Sequence, residues 1–393
     1  MITLRPTGPS GPATQSRPDR DRYIDFLRAA SLLVVVGWHW LFSIVTWHPG
    51  PGTSNPIGTT PGLWAFTWVL QVMPLFFFVG GFAHLVTWES VERAGGGYRM
   101  FVTRRLRRLV PPTVTCVGSV GAIWALLRFG PVHVPYLNAG FRLVLSPLWF
   151  LAIYVGLVLV APAAIRLHRA AGTWALVGLA AGGAAVDIVR FHGRVSGIAW
   201  LNMVLVWGFA HQLGFSWRRL VAAPRRLGWA LLSAGLVALA GLTTIGGYPR
   251  SMVGVPGEAF SNMGPPTACI LALILLQVGV VLLARRAATA WLARPRPARL
   301  TAWAGARSMT VYLWHFPAFA VAYALVVLAD VPVPQRASLG WWLERPLWLV
   351  APAAVIVPCL RAFRPRPAGS SEDGVGDQRD VVEKQAELAG RVA

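Results

Sequence analysis

An arginine and a histidine stand eleven residues apart in the first apolar run of the chain, DFLRAASLLVVVGWHW, as Arg28 and His39. Ionisable side chains inside apolar runs are costly to bury and are candidates for chemistry by default. Eleven residues make about three helical turns, so on a helix both side chains leave one face, with His39 about 16 Å along the axis from Arg28. A guanidinium suits an anionic head group. A neutral imidazole can take a proton from a nucleophile, or attack a carbonyl carbon itself. A ligand with an anionic head and a long thin arm would meet Arg28 first and His39 with its tip. Taken singly, each residue has a plainer reading. Arg28 alone is an arginine snorkelling to lipid head groups, and His39 alone is a hydrogen-bonded packing histidine.

Other residue clusters extend the pattern. TRRLRRLVPP, residues 103–112, packs Arg104, Arg105, Arg107 and Arg108 into a turn and a half. Arg105 and Arg108 share a helical face. Their planar forks match phosphate oxygens, although anchoring to anionic lipid would use the same residues. In MPLFFFVGGF, residues 73–82, Pro74 removes a backbone donor and predicts a kink, and Gly80–Gly81 permit close helix approach. In SMTVYLWHFPAF, residues 308–319, His315 precedes Pro317. It could join a site with His39 or cap the carbonyls that the proline frees. Gln71, Asp187, His211 and Gln277 are weaker candidates, and Asp187 is placed to pair with Arg190.

The elements that must position these residues are membrane helices. The 393 residues are 55% hydrophobic and only 13% charged, against about 25% charged in soluble domains. Runs of about 20 apolar residues, the length that spans a bilayer core, lie at 26–47, 63–88, 109–128, 146–165, 174–190, 199–215, 228–246, 266–284, 309–329 and 345–361. The reading is an all-α polytopic membrane protein of about ten transmembrane helices. Placing the N-terminus inside puts 29 of the 36 basic residues on the cytoplasmic side, so the positive-inside rule predicts that both termini are cytoplasmic. The net charge of +21 therefore reflects loops between spans, and no nucleic-acid partner is expected. Cys116, Cys269 and Cys359 all fall inside apolar runs and read as small buried hydrophobes, with no metal site and no disulfide framework.

Three domains follow: a disordered cytoplasmic segment 1–22, a membrane domain 23–364, and a disordered cytoplasmic tail 365–393. The first apolar run is too long for a signal-peptide core and reads as a retained helix. Two Gly- and Pro-rich segments, 47–62 and 246–265, read as connectors, with covering an outward-facing site as the other possibility. The aromatics of SPLWFLAIY, residues 146–154, read as an interface belt.

Taken together, four stretches resemble the acyltransferase 3 family of bacterial membrane acyltransferases: DFLRAASLLVVVGWHW with its Arg-x10-His spacing, PLFFFVGGF, RRLRRLVPP and TVYLWHFP, in the family's order. One departure is the Glu344–Pro346 triplet, which opens the last span instead of lying near its cytoplasmic exit, so Glu344 is given no role. The resemblance implies transfer of an acyl group, often acetyl, from acyl-coenzyme A to a hydroxyl or amine of a carbohydrate, lipid-linked or other small acceptor. It places the protein in the bacterial cytoplasmic membrane, in contact with membrane lipid. On that reading Arg28, Arg105 and Arg108, with Arg104 beside them, hold the coenzyme A phosphates. His39, assisted by Arg28, is the general base or a transient acyl carrier, and backbone near Pro74 is a candidate oxyanion stabiliser. The rival readings are a glycan or lipid transporter or flippase, and a non-catalytic membrane partner.

Overall fold

The computed structural model describes residues 21–46, 52–131 and 135–362. The segments expected to be disordered, 1–22 and 365–393, lie outside the described residues except for Asp21 and Arg22, which cap and open the first helix. Among the described residues nine helical segments are long and apolar enough to cross a membrane, and Leu347–Arg361 is a shorter tenth. Each of the ten apolar runs read from the sequence overlaps one of these segments.

The first span, Arg22–Phe42, begins at a cap. Asp21 Oδ1 accepts from the Tyr23 and Ile24 amides at 2.9 and 3.3 Å, and its Oδ2 accepts from Trp217 Nε1 at 2.8 Å. The carboxylate satisfies amides that the helix start leaves free and complements the positive end of the helix dipole. The helix stops at Phe42, short of the expected residue 47. The chain then enters a short strand, Ile44–Thr46, paired antiparallel with Gly52–Ser54. Among the described residues that hairpin is the one two-stranded sheet in a largely helical architecture.

The second span, Leu63–Arg93, is interrupted. A short helix, Phe66–Leu70, ends at Gln71, and a long helix, Met73–Arg93, starts two residues later. Pro74 therefore does not kink a continuous helix. It sits in the first turn of Met73–Arg93, where the missing N–H leaves nothing unsatisfied. Two glutamines close the interruption. Gln277 Nε2 donates to the Gln71 and Trp68 carbonyls at 2.8 and 3.3 Å, and Gln71 Oε1 accepts from the Met73 amide at 3.2 Å. A break at membrane depth survives only where protein groups replace the missing water in this way.

The third span is the helix Tyr98–Phe129, so the arginine run lies inside the helix and not in a loop before it. The fourth span, Leu137–Ala171, joins a short helix to Leu148–Ala171. The remaining spans are Thr173–His192, Gly197–Phe215, Arg225–Thr244, Ala268–Leu292, Pro295–Leu328 and the short Leu347–Ala362. The second, sixth and eighth spans build the interior, where Phe77, Phe78, Trp207, Ile270 and Leu273 are fully enclosed. The third, fifth and seventh turn residues such as Val114, Leu126, Ile188 and Val237 outward, as a lipid-facing surface requires.

Glycines set the closest helix crossings. A Cβ on Gly81 would overlap the His211 carbonyl oxygen, and one on Gly214 would overlap the Phe78 carbonyl oxygen. The second and sixth spans thus touch backbone to backbone at reciprocal positions, the packing that small residues make possible in membranes. Replacing Gly81 with Ala must part these helices, so G81A should lose about 1–3 kcal/mol. The expected outcome is a lower Tm in detergent, and an unchanged Tm would mean that the crossing can relax freely.

Candidate active site

The arginine-rich end of the bundle is hollow. A cavity of about 640 Å3 is lined by five arginines, Arg28, Arg93, Arg104, Arg105 and Arg108, against two carboxylates, Asp21 and Asp25. Adjoining it is a smaller cavity of about 230 Å3, which shares Arg28, Arg105 and Arg108 and whose further lining is mostly apolar, with Leu32, Phe76, Leu109, Phe150 and Met309 beside Tyr154, Ser308 and Tyr312. The Nε atoms of Arg28 and Arg105 are buried without a hydrogen-bond partner among the described residues. A basic mouth therefore narrows into an apolar bore.

From the other side of the bundle a third cavity, of about 310 Å3, reaches His39. Trp38, Trp149, Gln71, Asn55 and Ser146 line it, and among the described residues no charged side chain does. The first span runs past all three cavities. Arg28 and Leu32 face the basic side, and Val35 and His39 face the far cavity. The spacing of four, three and four residues is one helical face. The His39 cavity and the apolar bore share two lining residues, Phe150 and Tyr312. Tyr312 Oη donates to the Pro147 carbonyl at 2.6 Å, and Phe150 packs on Phe77, Phe76 and Tyr312 with ring centroids 5.2, 5.3 and 5.5 Å apart. These two side chains form the partition between the cavities.

His39 Nδ1 lies 3.0 Å from His315 Nε2, and the rings are stacked at 5.1 Å. Phe316 meets His39 edge-on at 4.8 Å, and Trp40 Nε1 donates to the His315 carbonyl at 2.9 Å. Adjacent residues of the first span thus grip one residue of the ninth. Pro317 removes the amide that would bond the Leu313 carbonyl. Cys116 Sγ stands at that oxygen, at 3.4 Å, so capping the proline break falls to the cysteine and not to His315.

The far cavity is built partly by segments that the sequence suggests are connectors. Thr53, Ser54 and Asn55 line it from one loop, and Val253, Gly254 and Met263 from the other. Residues 47–51 of the first loop lie outside the described residues. Asn262 pins the second loop, donating to the Pro249 and Ser251 carbonyls at 2.6 and 2.9 Å. Trp149 and Phe150, which read as interface-belt residues, face the cavities instead. A segment rich in Gly and Pro carries no periodicity, so the sequence leaves covering a site only as the second possibility for these loops.

The predicted arginines have different surroundings. Arg28 Nη2 meets Asp25 Oδ1 at 3.2 Å and is only half-buried; it belongs to the basic cavities, about 16 Å along the helix from His39. Arg105 is held by the protein, Nη2 donating to the Ala83 carbonyl and to Thr87 Oγ1, and ties the third span to the second. Arg104 and Arg108 are exposed at the mouth.

Three polar residues form a buried chain that the sequence reading names only in part. His84 Nδ1 lies 2.9 Å from His211 Nε2, and His84 Nε2 lies 3.1 Å from Tyr154 Oη, where Tyr154 lines the apolar bore. The signal for His84 was present, an ionisable residue within an apolar run. Asp187 does not hydrogen-bond to Arg190. It accepts from the Ala268 amide at 2.7 Å and from Asn202 Nδ2 and Tyr248 Oη, each at 3.0 Å, capping the eighth span from a neighbouring helix.

A family model described as an acyltransferase domain, that of the acyltransferase 3 family, matches residues 21–361. No curated protein and no solved structure matches the chain.

The two best-placed arginines of the third span should separate in the laboratory. Arg105→Ala removes a buried tether and should cost about 1–3 kcal/mol. Arg108→Ala changes an exposed side chain and should stay within about 0.5 kcal/mol. Thermal unfolding in detergent reads both, and equal losses would contradict the assignment of Arg105 as the tether.

Proposed function

The chain belongs to the acyltransferase 3 family and is a multi-pass membrane acyltransferase; from that premise we propose that it takes its acyl group from acyl-coenzyme A at the arginine-rich end and passes it to a hydroxyl group in the His39 cavity. The observation that carries this reading is the meeting of two unlike cavities at one partition, with arginines on one side and His39 on the other. Phosphates of the donor bind Arg28, Arg104 and Arg108, with the free Nε of Arg105 as a further donor. The thin acyl-bearing arm enters the apolar bore and brings its thioester to the partition of Phe150 and Tyr312. The distance of about 16 Å from Arg28 to His39 along the first span suits an extended arm.

The acceptor cavity holds tryptophans and neutral hydrogen-bonding groups, which fits an uncharged polyhydroxyl acceptor such as a carbohydrate. His39 takes the hydroxyl proton as the acceptor oxygen bonds to the carbonyl carbon. The carbon–sulfur bond breaks, and the proton leaves with the sulfur as the free thiol. In the covalent variant His39 bonds to the acyl carbon as the carbon–sulfur bond breaks and the thiolate leaves; the acceptor oxygen then takes the acyl group as the carbon–nitrogen bond breaks, and the hydroxyl proton neutralises the thiolate. The arginine excess fits a cytoplasmic donor side, with the acceptor met at the opposite face of a bacterial cytoplasmic membrane.

His39→Ala should abolish turnover, a loss of at least about 100-fold, while acyl-coenzyme A still binds. Retained activity would exclude both roles for His39. Arg28→Ala with Arg108→Ala should raise the donor KM with kcat little changed, the signature of lost ground-state binding. Labelled acyl donor without acceptor distinguishes the two routes, since only the covalent variant marks the protein, at His39.

A further inference from the structure

The contact between His39 and His315 has a direction that hydrogen-bond chemistry decides. His315 Nδ1 lies 2.5 Å from the Tyr312 carbonyl oxygen. A carbonyl oxygen can only accept, so the proton of this bond resides on His315 Nδ1. His315 is fully buried, and among the described residues no charged side chain lines the cavity at its partner ring. A buried cation without a counter-charge is costly, so the His315 ring is neutral and its Nε2 carries a lone pair. That lone pair faces His39 Nδ1 at 3.0 Å. The bond then requires the proton to sit on His39 Nδ1, and leaves the lone pair of His39 on Nε2. Among the described residues no hydrogen bond engages His39 Nε2.

We propose that His315 is a positioning residue, which holds His39 in the Nδ1–H tautomer so that Nε2 is the nitrogen that meets the substrates. The inference rests on the reading of His39 as the reacting group. Both routes above need a basic nitrogen turned to the cavity, and a tautomer fixed by a hydrogen bond at the other nitrogen supplies it. The packing holds the geometry as well as the proton. Trp40 fixes the His315 backbone carbonyl, Phe316 abuts the His39 ring, and the Tyr312 hydroxyl is tied to Pro147. Tyr312 thereby serves twice, its side chain in the partition and its carbonyl as the anchor of the two-histidine relay.

Two variants of the full-length protein in detergent test this. In His315→Gln the amide oxygen can accept from His39 Nδ1–H; in His315→Leu nothing can. Nitrogen-15 NMR of labelled histidines, with His39→Gln assigning the resonance, should find His39 as a single Nδ1–H tautomer in the wild type and in His315→Gln. A mixture is expected in His315→Leu. With acetyl-coenzyme A as donor, His315→Leu should lower kcat about 10- to 100-fold, with the donor KM within about twofold. His315→Gln should restore most of that loss. His39 protonated on Nε2 in the wild type would overturn the proposal, as would a His315→Leu enzyme with unchanged kcat. Should His315→Leu fail to fold, the wild-type tautomer and the His315→Gln turnover still decide. Activity surviving in His39→Ala would instead overturn the functional reading, while the NMR result would stand by itself.

Discussion

Water is absent from the centre of a bilayer, so each backbone amide and carbonyl there needs a partner from the protein. Several interruptions of a helix in this bundle are met by such a partner, and these lie around the site. Gln277 and Gln71 close the break in the second span. Cys116 stands at the carbonyl freed by Pro317 in the ninth. Trp40 reaches the His315 carbonyl, and Arg345 donates to the Trp341 and Leu41 carbonyls where the first span ends. Breaks in regular helix create cavities, and the polar side chains that repair them leave the cavity walls ordered.

The same economy explains how a chain of apolar helices keeps polar residues at depth. His84, His211 and Tyr154 satisfy one another across the second, sixth and fourth spans. Asp187 spends its carboxylate on the amide that starts the eighth span. His84 has both ring nitrogens engaged, and neither His84 nor His211 lines any of the three cavities described. His39 differs in having one nitrogen engaged by His315 while its ring lines a cavity. Access to a cavity, more than burial, separates the packing histidines from the candidate reactive one.

Close approach by glycine makes the arrangement possible. Gly81 and Gly214 bring the second and sixth spans into backbone contact, and Gly235 and Gly279 do so for the seventh and eighth. Gly80 leaves room for the Tyr154 ring at the wall of the apolar bore. With these helices drawn together in the interior, the first, third, fourth and ninth spans are left to enclose the cavities. The arginines of the mouth and His39 then lie on two cavities that meet at Phe150 and Tyr312.

Much of this was legible along the chain, because a bilayer imposes length and polarity rules that act locally. Runs of apolar residues give the nine long spans and the shorter tenth helix, and the eleven-residue interval places Arg28 and His39 on one face whatever surrounds them. The four stretches shared with the acyltransferase 3 family carry its identity in the same local way. Contact between elements is another matter. That His315 meets His39, that Cys116 and not His315 serves the Pro317 break, and that two Gly- and Pro-rich loops line a cavity all depend on residues more than a hundred positions apart meeting in space. The difference between Arg105 and Arg108 is decided similarly, by which of two neighbours on one helix faces the second span. Helical period and hydropathy determine what each span is and which face is polar. Only packing against other spans determines which polar groups are saturated, and so which are left for chemistry.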